Sequence, residues 1–378
     1  MIKRAFSHFC QGFRADDAAD WVATFHWVVD GAGSWTVAFD HGTCAVREGL
    51  SGAPTCTITT SAATLASIFS GELDSTAAFM SGAAVADNLH ELMQLAAVLD
   101  FDAIREAVGG KAAAPIQQGT WETVGSFPIT QGAVHAYTRA TSDPNPAYYG
   151  ATALAPPMFH VRFLVDAFFA MAGRLRIDLS RFYHAGHSAD FHRSMRVGDT
   201  VEVRVKLDEI VQKDTGKLYH FAFEERVGEH LTVSGRSSFF LKERGEVGAS
   251  RPTPNREDPD YISMQMVDSD QAERYAAASG DHNPLHLNPA AAIAAGLNGV
   301  ILHGLCTLAF AQRDLIDETM TRDPRRMAHL SARFAAPVYP GQTLKLHFWY
   351  EAGKELSFET RSWDDTQRVL QDGLVRLH

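Results

Sequence analysis

The sequence predicts an α+β protein in three parts, and the last two parts are copies of one fold. Two observations carry this. The string Ala189-Asp190-Phe191, followed by Gly198-Asp199-Thr200-Val201, returns as Ala332-Arg333-Phe334 followed by Gly341-Gln342-Thr343-Leu344, an offset of 332 − 189 = 143. His160 maps onto His303 with the same offset, 303 − 160 = 143, and upstream Asn145-Pro146 maps onto Asn283-Pro284 with 283 − 145 = 138, so one loop is shorter in the first copy. Ordered matches with one indel argue for duplication rather than chance. The second observation is that each copy pairs a helical pattern with long alternating runs. Val201, Val203, Val205 and Leu207 alternate with charged residues, and Leu344, Leu346, Phe348 and Tyr350 do the same. That is the pattern of a half-buried strand.

Within each copy a short helix (131–140; 269–278) precedes the Asn-Pro turn, and an apolar helix follows it (161–172; 305–315). Strand-like runs come next, in the first copy over about 185–191, 200–211, 219–225 and 231–240. Helix first and an antiparallel meander after it gives a sheet wrapped on one long helix. The first part reads differently. Residues 35–39 and 56–60 are strands, Ser61 caps a helix that ends at Gly71, and a short helix leads to Gly82. A last amphipathic helix places Leu89, Leu92, Met93 and Ala96 on one face. Linker-like stretches at 109–119 and 245–260 divide the chain into about 1–115, 116–248 and 249–378.

Composition narrows the function. Apolar residues make up 46% of the 378, which suits real cores, and the net charge is −11. The only strongly basic run, Arg322 to Arg326, is short and interrupted. Nucleic acid and anionic membrane surfaces are therefore not expected partners. No apolar run is long enough to span a bilayer, and the N-terminus lacks a signal-peptide core. The chain ends Val-Arg-Leu-His rather than in a peroxisomal Ser-Lys-Leu type address, so a cytoplasmic location is expected. Cys10, Cys44, Cys56 and Cys306 show no paired spacing, so neither a disulfide frame nor a zinc site is expected. Cys306 reads as a small apolar helix residue. No Gly-rich nucleotide fingerprint appears.

The most informative segment is 279–289, Ser-Gly-Asp-His-Asn-Pro-Leu-His-Leu-Asn-Pro. Asp281 and His286 flank the turn formers Asn283 and Pro284. A carboxylate and an imidazole held close can aim and activate one water. His303-Gly304-Leu305 opens an apolar helical stretch, and a main-chain N–H at such a start can stabilise an oxyanion. His282 is expected to face solvent.

This segment closely resembles the signature of the hydratase-2 (MaoC-like) hot-dog enzymes, which add water across the double bond of 2-enoyl thioesters to give (R)-3-hydroxyacyl thioesters. The resemblance covers residues 120–378 and is specific in the second copy only. It implies a double hot-dog fold, Asp281 and His286 as the catalytic dyad, the Gly304 N–H as the oxyanion donor, and Asn283 as a residue that orients the loop or bonds a dyad member. It also places His303 by the substrate or at the helix start, with Phe168, Phe169 and Met171 in the acyl pocket. The substrate is a coenzyme A or carrier-protein thioester, with no metal and no other cofactor. The first copy sets Asp143 opposite Asp281, Tyr148 opposite His286 and Val161 opposite Gly304, so it should be inert. The chain departs from the family at Asn288, where an acidic residue is usual, and at Gly299-Val300, where a proline is common.

The order of elements in the first part, with Gly71, Phe79-Met80 and Gly82, resembles the sterol-carrier-protein-2 (SCP-2) lipid-binding domain over about residues 15–105. That implies a lipid ligand. Three rival readings remain open: a dehydratase for carrier-protein-bound polyketide or fatty-acyl intermediates, a non-catalytic lipid or acyl-thioester binding protein, and a hot-dog thioesterase. Whether the protein is a homodimer is also left open.

Overall fold

Alternation along the first strands builds a core under one sheet face. The strand β1 (Val22–Asp30) buries Ala23, Phe25, Trp27 and Val29 on that face. β2 (Gly33–Asp40) adds Trp35, Val37 and Phe39, and β4 (Cys56–Ser61) adds Cys56, Ile58 and Thr60. With β3 (Thr43–Glu48) and β5 (Ala84–Ala86) they form a five-stranded sheet in the order β3-β2-β1-β4-β5. β1 and β4 run parallel, and the other pairs are antiparallel. This is a computed structural model, and it describes every residue except 111–113, 151, 178, 244–255 and 257. The middle of the first expected linker and most of the second lie outside the described residues. The chain forms two compact units. One is Met1–Ile116 with Phe168–Ser180 and His282–Pro284; the other is Gln117–Ala167 with Arg181–Asp281 and Leu285–His378.

In the first unit the helix Ala62–Ser70 starts and stops where the sequence indicates. The Ser61 hydroxyl accepts from the Thr64 N–H at 3.0 Å, and Gly71 closes the helix in the left-handed conformation at φ 85°. The helix Leu89–Val98 corrects the expected face. It buries Leu92, Leu95 and Val98, whereas Ala96 is exposed. The larger apolar side chains win the core, and the helix turns by about one position to seat them. The cysteine expectation is also corrected: Cys10 and Cys44 form a disulfide. Their spacing of 34 gives no sign of it. The 3₁₀ turn Phe9–Gly12 packs beside β3, and only that tertiary placement brings the two sulfurs together. Cys56 and Cys306 are free and buried. No helix among the described residues is long and apolar enough to cross a membrane.

The second unit holds ten strands. The first copy supplies β6 (Glu122–Pro128), β7 (Phe182–Phe191), β8 (Thr200–Lys213), β9 (Gly216–Val227) and β10 (His230–Lys242). The second supplies β11 (Tyr261–Met266), β12 (Met327–Phe334), β13 (Thr343–Tyr350), β14 (Glu355–Ser362) and β15 (Arg368–Leu377). They make one sheet in the order β11-β13-β14-β15-β12-β7-β10-β9-β8-β6, antiparallel throughout. The order is a palindrome of equivalent strands, as a duplicated double hot-dog requires.

Each copy opens with a strand, β6 or β11, and not with a helix as the sequence pattern suggests. Both are edge strands with weak alternation, and β11 exposes Ile262, Met264 and Met266. A half-covered edge strand lacks the apolar face on which strand recognition depends. The helix Gln131–Ala140 has the expected bounds. Its counterpart spans Gln271–Ser279, and the apolar helix of the second copy extends over Gly304–Thr319. In the first copy the expected helix over 161–172 is split. Pro156 and Pro157 start a 3₁₀ turn over Pro157–Phe163, and the α-helix begins only at Val165 and runs to Arg174. The helices of the two copies interlock through buried polar groups. Gln312 accepts from the Met158 N–H at 2.8 Å, and Gln271 donates to the Ala140 carbonyl.

Candidate functional site

The site is assembled where three chain segments of the second copy end. The helix Gln271–Ser279 stops at Gly280, which takes φ 84°, and this turns Asp281 out of the helix. The Ser279 hydroxyl accepts from the Asp281 N–H at 3.2 Å and donates to the Tyr275 carbonyl at 2.8 Å. Pro284 then starts the one-turn helix Pro284–Leu287, which carries His286. The third segment is the start of Gly304–Thr319, preceded by His303. One ligand atom from each of Asp281, His286 and His303 lies within 4.8 Å of the others.

Main-chain carbonyls fix both imidazoles. His286 Nδ1 donates to the Ile301 carbonyl at 2.8 Å, and the Ile301 N–H donates to the Leu285 carbonyl at 3.1 Å. A carbonyl only accepts, so the proton of neutral His286 sits on Nδ1 and Nε2 is left as the acceptor. His303 Nε2 donates to the Asp281 carbonyl at 2.9 Å. The two rings stack with centroids 3.7 Å apart, and the Tyr275 ring lies 5.0 Å from that of His303. His303 is buried at 2% exposure, whereas Asp281 and His286 are half-buried, so the dyad remains reachable.

Gly304 sits at the N-terminus of a sixteen-residue helix. The first N–H groups of a helix have no acceptor within it, and they carry its positive dipole end. A Cβ at Gly304 would lie 2.9 Å from the ring of Phe334, so the backbone there approaches β12 more closely than any side chain allows. Sequence pattern marks Gly304 but not Phe334. Nor does it mark Ile301, which acts through its main chain.

The other expected residues fall as follows. Asn283 is half-buried in the turn between Asp281 and His286. His282 is half-buried rather than solvent-facing: its N–H donates to the Met80 carbonyl at 2.8 Å, and its ring packs on Gly82, which takes φ 75° and has no side chain in the way. Phe168 and Met171 are buried and Phe169 is half-buried, all three on the helix Val165–Arg174. Asn288 caps the helix Pro289–Ala294 by accepting from the Ala291 N–H at 3.1 Å. An amide serves that role as well as a carboxylate.

The first copy is built differently at each equivalent position. Asp143 is buried, accepts from the Asn145 N–H at 3.1 Å, and has its carboxyl pushed up to about 6, chiefly by burial. Tyr148 is fully buried. Val161 lies inside the 3₁₀ turn, not at a helix start. His160, the counterpart of His303, is drawn into a closed chain. Its Nδ1 meets Glu225 at 3.0 Å and its Nε2 meets His187 at 3.3 Å, while His187 Nδ1 meets the Ser237 hydroxyl at 2.8 Å. All four residues are buried.

Three stretches of the chain match known families. Residues 251–372 match the family described as MaoC like domain, residues 117–232 the FAS1-like dehydratase domain region, and residues 4–100 the SCP-2 sterol transfer family. A 3-hydroxyacyl-thioester dehydratase Y of Mycobacterium tuberculosis is 31% identical over 208 residues, covering 51% of this chain and 71% of that protein. A probable enoyl-CoA hydratase 2 of Dictyostelium discoideum is 35% identical over 145 residues, covering 36% and 49%. The crystal structure of a MaoC-like dehydratase from Phytophthora capsici superposes with a TM-score of 0.60 at 20% identity, over 70% of this chain and 97% of that one. The chain spans only 28% to 49% of the length of three of the curated relatives that it matches. It belongs to the MaoC-like dehydratase family in its tandem hot-dog form, with an SCP-2 family domain ahead of the pair.

Proposed function

We propose that the chain hydrates 2-enoyl thioesters to (R)-3-hydroxyacyl thioesters, and in reverse dehydrates them, at one site in the second hot-dog copy. The observation that carries this is the convergence of Asp281, His286 and His303 within 4.8 Å, beside the helix start at Gly304. In the forward direction a water oxygen bonds to C3 and a proton reaches C2. The electron pair of the double bond passes through the thioester enolate. Asp281 and His286 hold the water, and His286 Nε2, free to accept, is the group through which its proton moves. The Gly304 N–H stabilises the thioester oxygen as it gains charge, a contribution commonly worth about 3–4 kcal/mol. His303 braces the dyad by stacking on His286 and holding the Asp281 carbonyl.

The names of the two relatives support this chemistry, since one is a hydratase and the other a dehydratase of acyl thioesters. We assign residues 1–115 to a lipid-binding domain, 116–248 to the non-catalytic hot-dog copy and 249–378 to the catalytic one. The test is a spectrophotometric screen of 2-enoyl-coenzyme A esters of increasing chain length, with chiral analysis of the product. The reading expects loss of the enoyl absorbance and an (R) product. No turnover of any ester would sink it. A preference for the same acyl group on a carrier protein would shift the substrate to the polyketide or fatty-acyl class.

A further inference from the structure

The non-catalytic copy holds a cavity of about 430 Å³ that the proposed reaction does not use. It adjoins Phe191, the counterpart of Phe334 (334 − 191 = 143), which in the other copy stands against Gly304. The loop His192-Arg193-Ser194-Met195-Arg196 lines it, and the second copy contributes residues that include Arg325. The loop aligns without a gap with Ala335-Ala336-Pro337-Val338-Tyr339. The copies have therefore diverged at this point in charge, two arginines and a histidine against none. Arg325 belongs to the only strongly basic run of a chain whose net charge is −11.

Two of these three cations are available. Arg193, Arg196 and Arg325 are exposed, and among the described residues neither Arg193 nor Arg196 has a carboxylate partner. Arg325 pairs with Asp323 at 2.8 Å. Asp199 accepts from the Arg196 main-chain N–H at 2.8 Å, which fixes the loop without neutralising the guanidinium. The floor is apolar, with Phe191, Val233 and Met327 all buried.

We propose that this cavity is a second, non-catalytic binding site for a nucleoside diphosphate. The base lies on the apolar floor, and the two phosphates meet the arginine walls, where planar guanidinium groups match phosphate oxygens in pairs. The volume falls in the range of small-molecule sites. Two exposed arginines without a carboxylate partner beside a concavity raise the local concentration of such an anion even on an acidic protein.

Isothermal calorimetry of the full chain with ADP tests this, with inorganic pyrophosphate as a second probe. Saturable ADP binding that weakens with salt is expected. The Arg193→Ala/Arg196→Ala double variant should bind at least tenfold more weakly, and Arg325→Glu, from the second copy, should do the same. Pyrophosphate should bind at least tenfold more weakly than ADP. The proposal is overturned by absent ADP binding or by unchanged affinity in a folded variant. Pyrophosphate as tight as ADP would reduce the cavity to an unselective anion site and overturn the nucleoside assignment.

Discussion

Ser188 and Ser331 pair directly across β7 and β12 at the centre of the ten-stranded sheet, and each is the other's counterpart in the duplication, since 331 − 188 = 143. The pseudo-twofold axis of the protein therefore passes between them. Neighbouring pairs follow it: Ala189 meets Leu330 and Asp190 meets His329. Around that axis the backbone is nearly symmetric and the chemistry is not. Where one copy stacks two imidazoles beside a half-buried carboxylate, the other buries an aspartate and a tyrosine. Under the proposed function, duplication gave two places for a site, and one has been kept.

Loss of either dyad member should therefore abolish turnover without compensation from the other copy. Asp281→Asn and His286→Ala are each expected to lower kcat by at least ~10²-fold, because each removes a proton-transfer partner. Steady-state kinetics on a 2-enoyl-coenzyme A ester, with circular dichroism to check the fold, measures this. Normal turnover in either variant would remove that residue from the mechanism.

The close approach of Gly304 to Phe334 gives a second expectation. In Gly304→Ala the new Cβ would stand 2.9 Å from the aromatic ring, so the helix start or the ring must move. Overpacking of this kind typically costs about 1–3 kcal/mol of stability, and a displaced N–H should lower kcat as well. Adding Phe334→Leu should restore stability. If Gly304→Ala alone unfolds at the wild-type denaturant midpoint with unchanged kcat, the packing argument fails.

Much of this site is legible in sequence because it is local. Gly280, Asp281, Asn283, Pro284 and His286 form one turn, and a turn is specified by its own residues. The duplication is legible for the same reason, since Phe191 and Phe334 keep their flanking strings. What sequence hides is what needs partners far along the chain. The Cys10–Cys44 disulfide, the seat of Phe334 on Gly304 and the Ile301 carbonyl that orients His286 all depend on tertiary placement. Edge strands β6 and β11 are hidden for a different reason: one uncovered side leaves too weak an alternation to read.

The Cys10–Cys44 disulfide closes a 34-residue span that includes all of β1 and β2. A loop of that length stabilises the folded state by about 3–4 kcal/mol on chain-entropy grounds. Cys10→Ser/Cys44→Ser should lose protection of the β1 and β2 amides in hydrogen exchange while the ten-stranded sheet keeps its protection. Equal protection in oxidised and double-serine proteins would show that the pair contributes no stability.

Chelation separates acid–base chemistry from a metal site. Asp281, His286 and His303 have the spacing of a cation's ligands. One nitrogen of each ring is left as an acceptor, since His286 Nδ1 and His303 Nε2 donate to carbonyls, and in the proposed reaction His286 Nε2 takes a proton rather than a cation. Protein dialysed against EDTA should retain its turnover. Activity lost on dialysis and restored by Zn²⁺ would reassign these three residues as ligands.

Asp143 tests whether the first copy is inert. Its side chain is buried at 3% exposure, without the imidazole partner that Asp281 has, and Val161 lies inside a 3₁₀ turn where Gly304 starts a helix. Asp143→Asn should change turnover by less than ~10-fold, about 1.4 kcal/mol on the barrier. Its effect should appear in stability instead. Burial holds the folded carboxyl at about 6, above the ordinary 3.8 of the unfolded chain. Between those pH values the folded protein keeps a proton that the unfolded chain has released, so this group makes unfolding easier as pH rises through the window. Ionising it in the fold costs roughly 3 kcal/mol once both states have lost the proton. The amide that the Asp143→Asn substitution introduces cannot ionise and can still accept from the Asn145 N–H. The stability of Asp143→Asn relative to wild type should therefore climb between pH 4 and pH 6 and level off above. Urea unfolding across that range measures the difference. A flat difference would mean that Asp143 titrates normally and is not the buried, idle carboxyl described here, and a variant as inactive as Asp281→Asn would show that the first copy takes part in the chemistry.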